Sequence, residues 1–149
     1  MKKGFTLVEL LIVMAVIAIL IGIAVPSFRG MQMEANRTAS QGNLQAIKLA
    51  FEAYYKNNGC YPTYTSPTGT EWQTEITGSN PPLLEVVPTD PVNGQSYQLM
   101  KSPNGMYYIV YSTGEDQTHS CGVMNDGVYG TMPSSGEVLF ITNGHLASP

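Results

Sequence analysis

The sequence predicts an α+β chain, in which one long N-terminal helix packs through its second half on a small antiparallel β-sheet head. Three observations lead to this fold class. An apolar run ends at Val25, an amphipathic helical pattern continues to Lys56, and short β-prone runs separated by turn residues fill the chain beyond Gly59. With 149 residues, the chain has room for one such domain and none for a large enzyme.

The first element is an apolar segment long enough to cross a membrane as a helix. The sixteen residues Leu10 to Val25 carry no charge, and Gly22 is the one member that is not hydrophobic. About 20 apolar residues span a bilayer, so residues 5–25 form the predicted transmembrane helix. Lys2 and Lys3 precede it and predict a cytoplasmic N-terminus. The chain is therefore expected to be a single-pass protein of the cytoplasmic (inner) membrane, with its head outside the cytoplasm.

A secretory signal peptide would share the paired lysines and the apolar run, and Gly22-Ile23-Ala24 has the small residues of a cleavage site. The carboxylate of Glu9, near the start of the span, argues against that interpretation because a charge in hydrocarbon is costly. Carboxylates inside membranes usually have a partner. In the simpler alternative, Glu9 lies at the level of the lipid headgroups.

Residues 2–9, Lys-Lys-Gly-Phe-Thr-Leu-Val-Glu, run directly into the apolar segment and resemble the prepilin leader of type IV pilins and type II secretion pseudopilins. The resemblance implies that a prepilin peptidase removes residues 1–4 by cutting between Gly4 and Phe5, which leaves Phe5 as an N-methylated terminus. It also implies that Glu9 pairs with the terminal amine of a neighbouring subunit. An unpaired charge in a dry helix bundle is costly, so such a pair would set the register between subunits.

The helix is predicted to continue beyond the apolar run with a kink. Pro26 removes one backbone hydrogen bond, and Gly22 is a second weak point one turn earlier. In the alternative interpretation, Pro26 ends the transmembrane helix. Helical patterning resumes after it, which favours the kinked continuation.

Residues 29–58 have the pattern of an amphipathic helix exposed to water. Four apolar residues three or four positions apart form one face, which predicts the surface that packs on the head: Leu44, Ile47, Phe51 and Tyr54. Asn57-Asn58-Gly59, with Pro62 beyond, is a helix stop signal.

The head, residues 59–149, is predicted to contain an antiparallel sheet of three or four strands packed on that helical face. Tyr97 and Leu99 alternate within one predicted strand, Asn104-Gly105 is a predicted hairpin turn, and residues 106–112 form the returning strand. Residues 138–142 form another β-prone run, and a weaker one covers residues 123–129. Residues 63–69 and 77–82 have the composition of loops.

The head adds to the resemblance through three segments: Tyr55 to Pro62, Val87 to Pro91, and Tyr108 to Asp116. Their order is similar to that of the major, G-type pseudopilin of type II secretion, which implies the pilin fold and a role in protein secretion. Two features depart from the G-type pattern, namely a pair of cysteines and the stretch Gly130 to Pro149. Both would suit a minor pilin or a true pilus subunit.

Cys60 and Cys121 are the two cysteines of the chain, and the predicted topology places both outside the cytoplasm, where disulfides persist. A disulfide between them is therefore expected. The alternative, free or metal-binding thiols, has less support because His119 alone lies near Cys121 and does not complete a zinc site.

Acidic residues near the weak strand offer the oxygen ligands that calcium prefers. Some G-type pseudopilins bind calcium in the corresponding loops, so the resemblance makes Asp116 and Asp126 possible Ca²⁺ ligands. Alternatively, these residues belong to turns on a solvated surface. Beyond Gly59 one lysine faces eight carboxylates, a formal charge of −7, which argues against nucleic acid as a partner of the head.

The predicted function is structural. The chain has two histidines and no catalytic motif, so an enzymatic role has little support. The resemblance implies a homo-oligomeric helical filament, held in membrane lipid before assembly and periplasmic or at the cell surface afterwards. Its implied partners are prepilin peptidase, an inner-membrane assembly platform and other minor pilins or pseudopilins. A type IV pilus subunit, serving adhesion, motility or DNA uptake, is the alternative; a membrane-anchored or secreted binding module is a second.

Overall fold

A computed structural model describes residues 4–114, 124–125, 128–129 and 139–146. The chain divides into two compact units, Met1–Ala35 and Asn36–Pro149. The second unit combines the C-terminal part of a long helix with an antiparallel sheet, which confirms the predicted α+β fold class.

Helix α1 spans Leu7–Asn58 and accounts for 52 residues. The helix continues without interruption across Pro26, so the interpretation in which Pro26 ends it is wrong. A proline deletes one N–H donor, and the remaining hydrogen bonds of a long helix can hold the backbone helical. The predicted bend at Gly22 and Pro26 stays a prediction. The helix ends as expected, because Gly59 adopts a φ of 72° and its N–H donates to the Tyr55 carbonyl over 2.7 Å.

The main sheet has the strand order β1-β2-β5 and is antiparallel throughout. Strand β1 is Gln98–Lys101, β2 is Tyr108–Tyr111 and β5 is Phe140–Thr142. The predicted turn joins the first two: Gly105 has a φ of 73°, and the Ser102 N–H donates to the Tyr107 carbonyl over 2.9 Å. The predicted antiparallel head and its hairpin are therefore confirmed.

A second small sheet has the order β3-β4-β6. Strand β3 is Met124–Asn125 and pairs antiparallel with β4, Val128–Tyr129; both lie within the weaker β-prone run predicted over residues 123–129. Strand β6, His145–Leu146, pairs parallel with β4. The parallel pair was not predicted, because short strands distant in sequence leave no local signal for their partners.

Helix α2, Glu71–Thr77, is a feature that the sequence pattern did not predict. It has seven residues, and Thr70 at its N-terminus makes no side-chain cap. Trp72 and Ile76, four positions apart, are buried and attach it to the core. So short a helix is marginal by itself, and tertiary packing stabilises it.

The core of the second unit forms where α1 meets the sheet. The predicted face is confirmed: Leu44, Ile47 and Phe51 are buried, and Tyr54 is partly buried against the same cluster. The Phe51 ring lies 4.8 Å from that of Tyr108 and 5.4 Å from that of Trp72, measured between centroids. Edge and tilted contacts of this kind add to the stabilisation from buried area.

Polar side chains join α1 to the sheet and its loops at defined points. The hydroxyls of Ser40 and Tyr97 share a buried hydrogen bond of 2.9 Å, and the Asn43 amide donates to the Thr89 carbonyl over 3.2 Å. Burial raises the pKa of Tyr97, so its hydroxyl stays protonated at neutral pH. These contacts fix the sheet against one position along the helix.

Candidate functional site

The candidate site is the first turn of α1, where Thr6 and Glu9 form a capping box. The Thr6 N–H and the Thr6 hydroxyl both donate to Glu9 Oε2, over 3.0 Å and 2.9 Å. In return, the Glu9 N–H donates to Thr6 Oγ1 over 3.3 Å. Thr6 is therefore the N-cap and Glu9 the third helical residue, an arrangement that satisfies donors left over at a helix start.

One oxygen of the Glu9 carboxylate takes part in the capping box. Both donors from Thr6 reach Oε2, while Oε1 accepts no hydrogen bond from the residues that the structure describes. The capping box thus orients the carboxylate and leaves an acceptor oxygen at the exposed start of the helix. A cationic group from another molecule could bind there through a charge-assisted hydrogen bond.

Thr6 is a site residue that the sequence predictions missed. The available signal was the spacing Thr-x-x-Glu immediately before an apolar run, which is the pattern of a capping box. Because this pattern is local, it could have been found without the structure.

Gly4 and Phe5 precede the helix and are exposed; 85% of the Phe5 surface is accessible. A Cβ atom built on Gly4 would meet no atom within 4 Å, and the backbone there is not in the left-handed region. The fold itself therefore gives no reason for glycine at position 4. A requirement outside the folded chain, such as entry into a narrow enzyme site, is consistent with this geometry.

The apolar side chains of the first unit are uncovered. Every residue from Gly4 to Val25 is exposed, and α1 contains a window of 18 residues with a mean hydropathy of 3.0. By length and composition this segment can cross a membrane. Within the chain, Glu9 is thus a carboxylate next to a long apolar surface that nothing described in the structure covers.

Other predicted site residues are not brought together in the described part of the chain. Cys60 is exposed just after the end of α1, whereas Cys121 lies outside the described residues, so the disulfide stays a prediction. Asp116 and Asp126 also lie outside them, and calcium binding is untested. Among the residues that are described, no three acidic, histidine or cysteine side chains converge as a metal site would require.

Comparison with known proteins identifies two family models that match the chain. One describes the prokaryotic N-terminal methylation motif and matches residues 1–25; the other describes protein G of the type II secretion system and matches residues 28–128. Type II secretion system core protein G of Klebsiella michiganensis is 32% identical over 132 residues, which cover 87% of this chain and 88% of that protein.

Two further relatives define the breadth of the similarity. Core protein G of Pseudomonas aeruginosa is 28% identical over 123 residues, covering 77% of this chain and 84% of that protein. A fimbrial protein of Neisseria meningitidis is 33% identical over 86 residues, which are 58% of this chain and 51% of the fimbrial protein. The chain therefore matches about half the length of the fimbrial protein but most of each protein G.

Proposed function

The chain belongs to the type II secretion system protein G family, and from that premise we propose that it is a pseudopilin subunit polymerised through α1 into a filament that drives protein secretion. The observation that carries this proposal is the oriented Glu9 carboxylate at the start of an uncovered apolar helix. A long apolar helix surface of this kind needs lipid or other copies of the same segment to cover it.

The apolar surface of α1 has two suitable environments. Before assembly it faces lipid, as a single inner-membrane span with the head outside the cytoplasm. In the filament it faces the same segment of other copies. Lipid tails are as apolar as leucine side chains, so the hydrophobic effect does not choose between these environments, and polar contacts and packing decide.

Glu9 supplies the polar contact. Processing by prepilin peptidase between Gly4 and Phe5 would leave a cationic amine on Phe5, and this amine on one copy would bind Glu9 Oε1 of its neighbour. A charge buried without a partner is strongly unfavourable, so an incorrect stagger between copies is penalised more than the correct one is stabilised. Glu9 would thus act on register, and the capping box would hold its carboxylate in place.

The uncovered Gly4 fits this processing step, because the fold makes no demand for glycine there. Methylation of Phe5 after cleavage keeps the amine basic. The further partners that we propose are the inner-membrane assembly platform and minor pseudopilins of the same filament.

One comparison favours a second candidate, a subunit of a type IV pilus. The similarity to a fimbrial protein covers 58% of this chain. The two candidates differ in the location of the filament: a type IV pilus extends from the cell surface, whereas a pseudopilus stays within the cell envelope. Shearing intact cells and quantifying this chain by mass spectrometry separates them: a chain abundant in the sheared fraction is a pilin, and a processed chain retained in the envelope is a pseudopilin.

The experiment that tests filament assembly is a Glu9→Gln substitution, which keeps the side-chain size and removes the charge. We expect intact mass to show cleavage before Phe5 in both parent and variant, while filament recovery falls at least about tenfold in the variant, a loss of about 1.4 kcal/mol. Thr74→Val, an exposed change in the head, is the matched control and should assemble like the parent. Equal recovery of the Glu9→Gln filament would refute the role given to this carboxylate.

A further inference from the structure

Arg29 lies in the first unit, four positions beyond Val25, and its side chain is exposed. Arginine keeps its charge at any pH that the protein meets, and its guanidinium presents N–H donors in a planar fork. This guanidinium makes no hydrogen bond or ion pair with the residues that the structure describes. The first unit therefore presents a permanent cation that is available to a group from outside the chain.

Helix α1 places this cation at a defined depth in a bilayer. The 19 residues from Leu7 to Val25 extend about 28 Å, close to the ~30 Å thickness of the hydrocarbon core. A bilayer with its headgroups is about 40–45 Å thick, so each headgroup layer is about 5–8 Å deep. Four further helical residues advance the chain by about 6 Å. When the apolar run fills the hydrocarbon, Arg29 therefore lies at the level of the lipid phosphates.

The neighbours of Arg29 suit the same layer. Phe28 and Met31, three positions apart on one side of α1, are 70% and 69% exposed. Apolar side chains next to a basic one are typical of helix segments that lie at a membrane interface. Glu34, the next acidic residue along the chain, is five positions from Arg29 and hence about 140° around the helix. It does not share a face with the guanidinium.

Charge complementarity selects the ligand. A guanidinium binds a phosphate through two parallel charge-assisted hydrogen bonds, and the phosphodiester of a phospholipid is the anion at this depth. An ammonium headgroup offsets the phosphate charge of a zwitterionic lipid, whereas an anionic lipid keeps its net charge. The head, with a formal charge of −7, repels such lipids. Arg29 is therefore the group that favours them.

We infer that Arg29, with Phe28 beside it, binds the phosphate of an anionic phospholipid in the outer leaflet of the cytoplasmic membrane. This lipid contact rests on the proposed function, because it needs the membrane-spanning state before assembly, and it deepens that function by naming a partner. Lys2 and Lys3 flank the other end of the span and leave with residues 1–4 on processing. From then on, Arg29 is the basic side chain nearest to the span, and it anchors the waiting subunit.

The test uses the processed chain in nanodiscs that contain phosphatidylethanolamine and phosphatidylglycerol, with the lipids that stay bound to the subunit counted by native mass spectrometry. The parent should retain phosphatidylglycerol in preference to phosphatidylethanolamine. Arg29→Gln should lower that preference about fivefold, the effect of one arginine near an anionic surface. Glutamine is a good helix former, so the substitution leaves α1 intact.

Lys56→Gln is the matched control, because it removes the same charge at an exposed position near the other end of α1. It should retain phosphatidylglycerol like the parent. An unchanged preference in Arg29→Gln, or an equal loss in both variants, would overturn the assignment of Arg29 as the lipid-binding residue.

Extraction of cell membranes with alkaline carbonate separates this failure from that of the proposed function. A chain that stays in the membrane but shows no preference for phosphatidylglycerol contradicts the lipid contact alone. A chain that carbonate releases does not span the membrane, so the proposed function fails and the lipid contact fails with it.

Discussion

Lys101 is expected to stabilise the head as an internal clamp, although it is the one basic residue beyond Gly59 and would ordinarily be placed on the surface. Its ammonium group donates to the Tyr61 carbonyl over 2.9 Å and to the Pro62 carbonyl over 3.1 Å. Both acceptor residues are buried. The clamp ties strand β1 to the segment that follows α1.

The cost of removing this clamp can be worked from these contacts. A hydrogen bond from a charged donor contributes about 1.5–3 kcal/mol, and a buried acceptor left without a partner costs about 1–3 kcal/mol. Lys101 is half-buried, so part of this loss is recovered by water. We therefore expect Lys101→Met, which keeps the aliphatic stem, to lower the free energy of unfolding by about 2–3 kcal/mol.

Trp72 provides the assay, because it is the sole tryptophan and only 1% of its surface is accessible. Urea unfolding of the full chain in detergent, followed by tryptophan emission, reports on the head. Lys56→Met, at an exposed position, is the matched control and should change the free energy of unfolding by less than about 0.5 kcal/mol. If Lys101→Met unfolds within that same margin, the clamp contributes nothing and the reasoning is refuted.

Three further predictions concern the helix end, the cysteines and one carboxylate. Gly59→Ala should cost about 1–2 kcal/mol in the same unfolding assay, because the φ of 72° is unfavourable for any residue with a Cβ atom; an unchanged midpoint would mean that the helix end rearranges freely. If Cys60 and Cys121 form a disulfide, then dithiothreitol should lower the stability of the parent by about 4 kcal/mol and leave Cys60→Ser unaffected; a parent that is insensitive to reductant has no such bond. Partial burial raises the pKa of Glu75, but hydrogen bonds from Thr63 and Tyr54 and the charge of Lys101 together outweigh it and leave the pKa below its ordinary value of 4.5. The stabilisation of the fold by the ionised Glu75 carboxylate is therefore present above pH 4.5 and lost as the pH falls through the lowered pKa. Glu75→Gln should flatten the loss of stability in acid, as measured by thermal unfolding between pH 6 and pH 3 in ~0.5-unit steps. Parallel curves for parent and variant would contradict this prediction.

The candidate site could be predicted from sequence to a large extent, since its parts lie within eight residues of one another. The resemblance of residues 2–9 to a prepilin leader is supported by the match of residues 1–25 to the methylation motif, and membership of the protein G family is shown. The Thr-x-x-Glu capping box was equally local. What the structure adds is that a single oxygen of Glu9 is used in this box.

The sequence by itself determined the helix and the face that packs, because hydrophobic periodicity and turn residues act over a few positions. Leu44, Ile47 and Phe51 are buried as their spacing predicts, and Gly105 closes the expected hairpin. Contacts between distant residues leave no such local signal. Only the tertiary structure decided that the Lys101 ammonium group reaches carbonyls about 40 positions earlier in the chain. It also decided that Gly42 of α1 and Ile141 of β5 line the same groove. Both arrangements depend on where the strands of the head pack against α1, and the packing of the whole head determines that position.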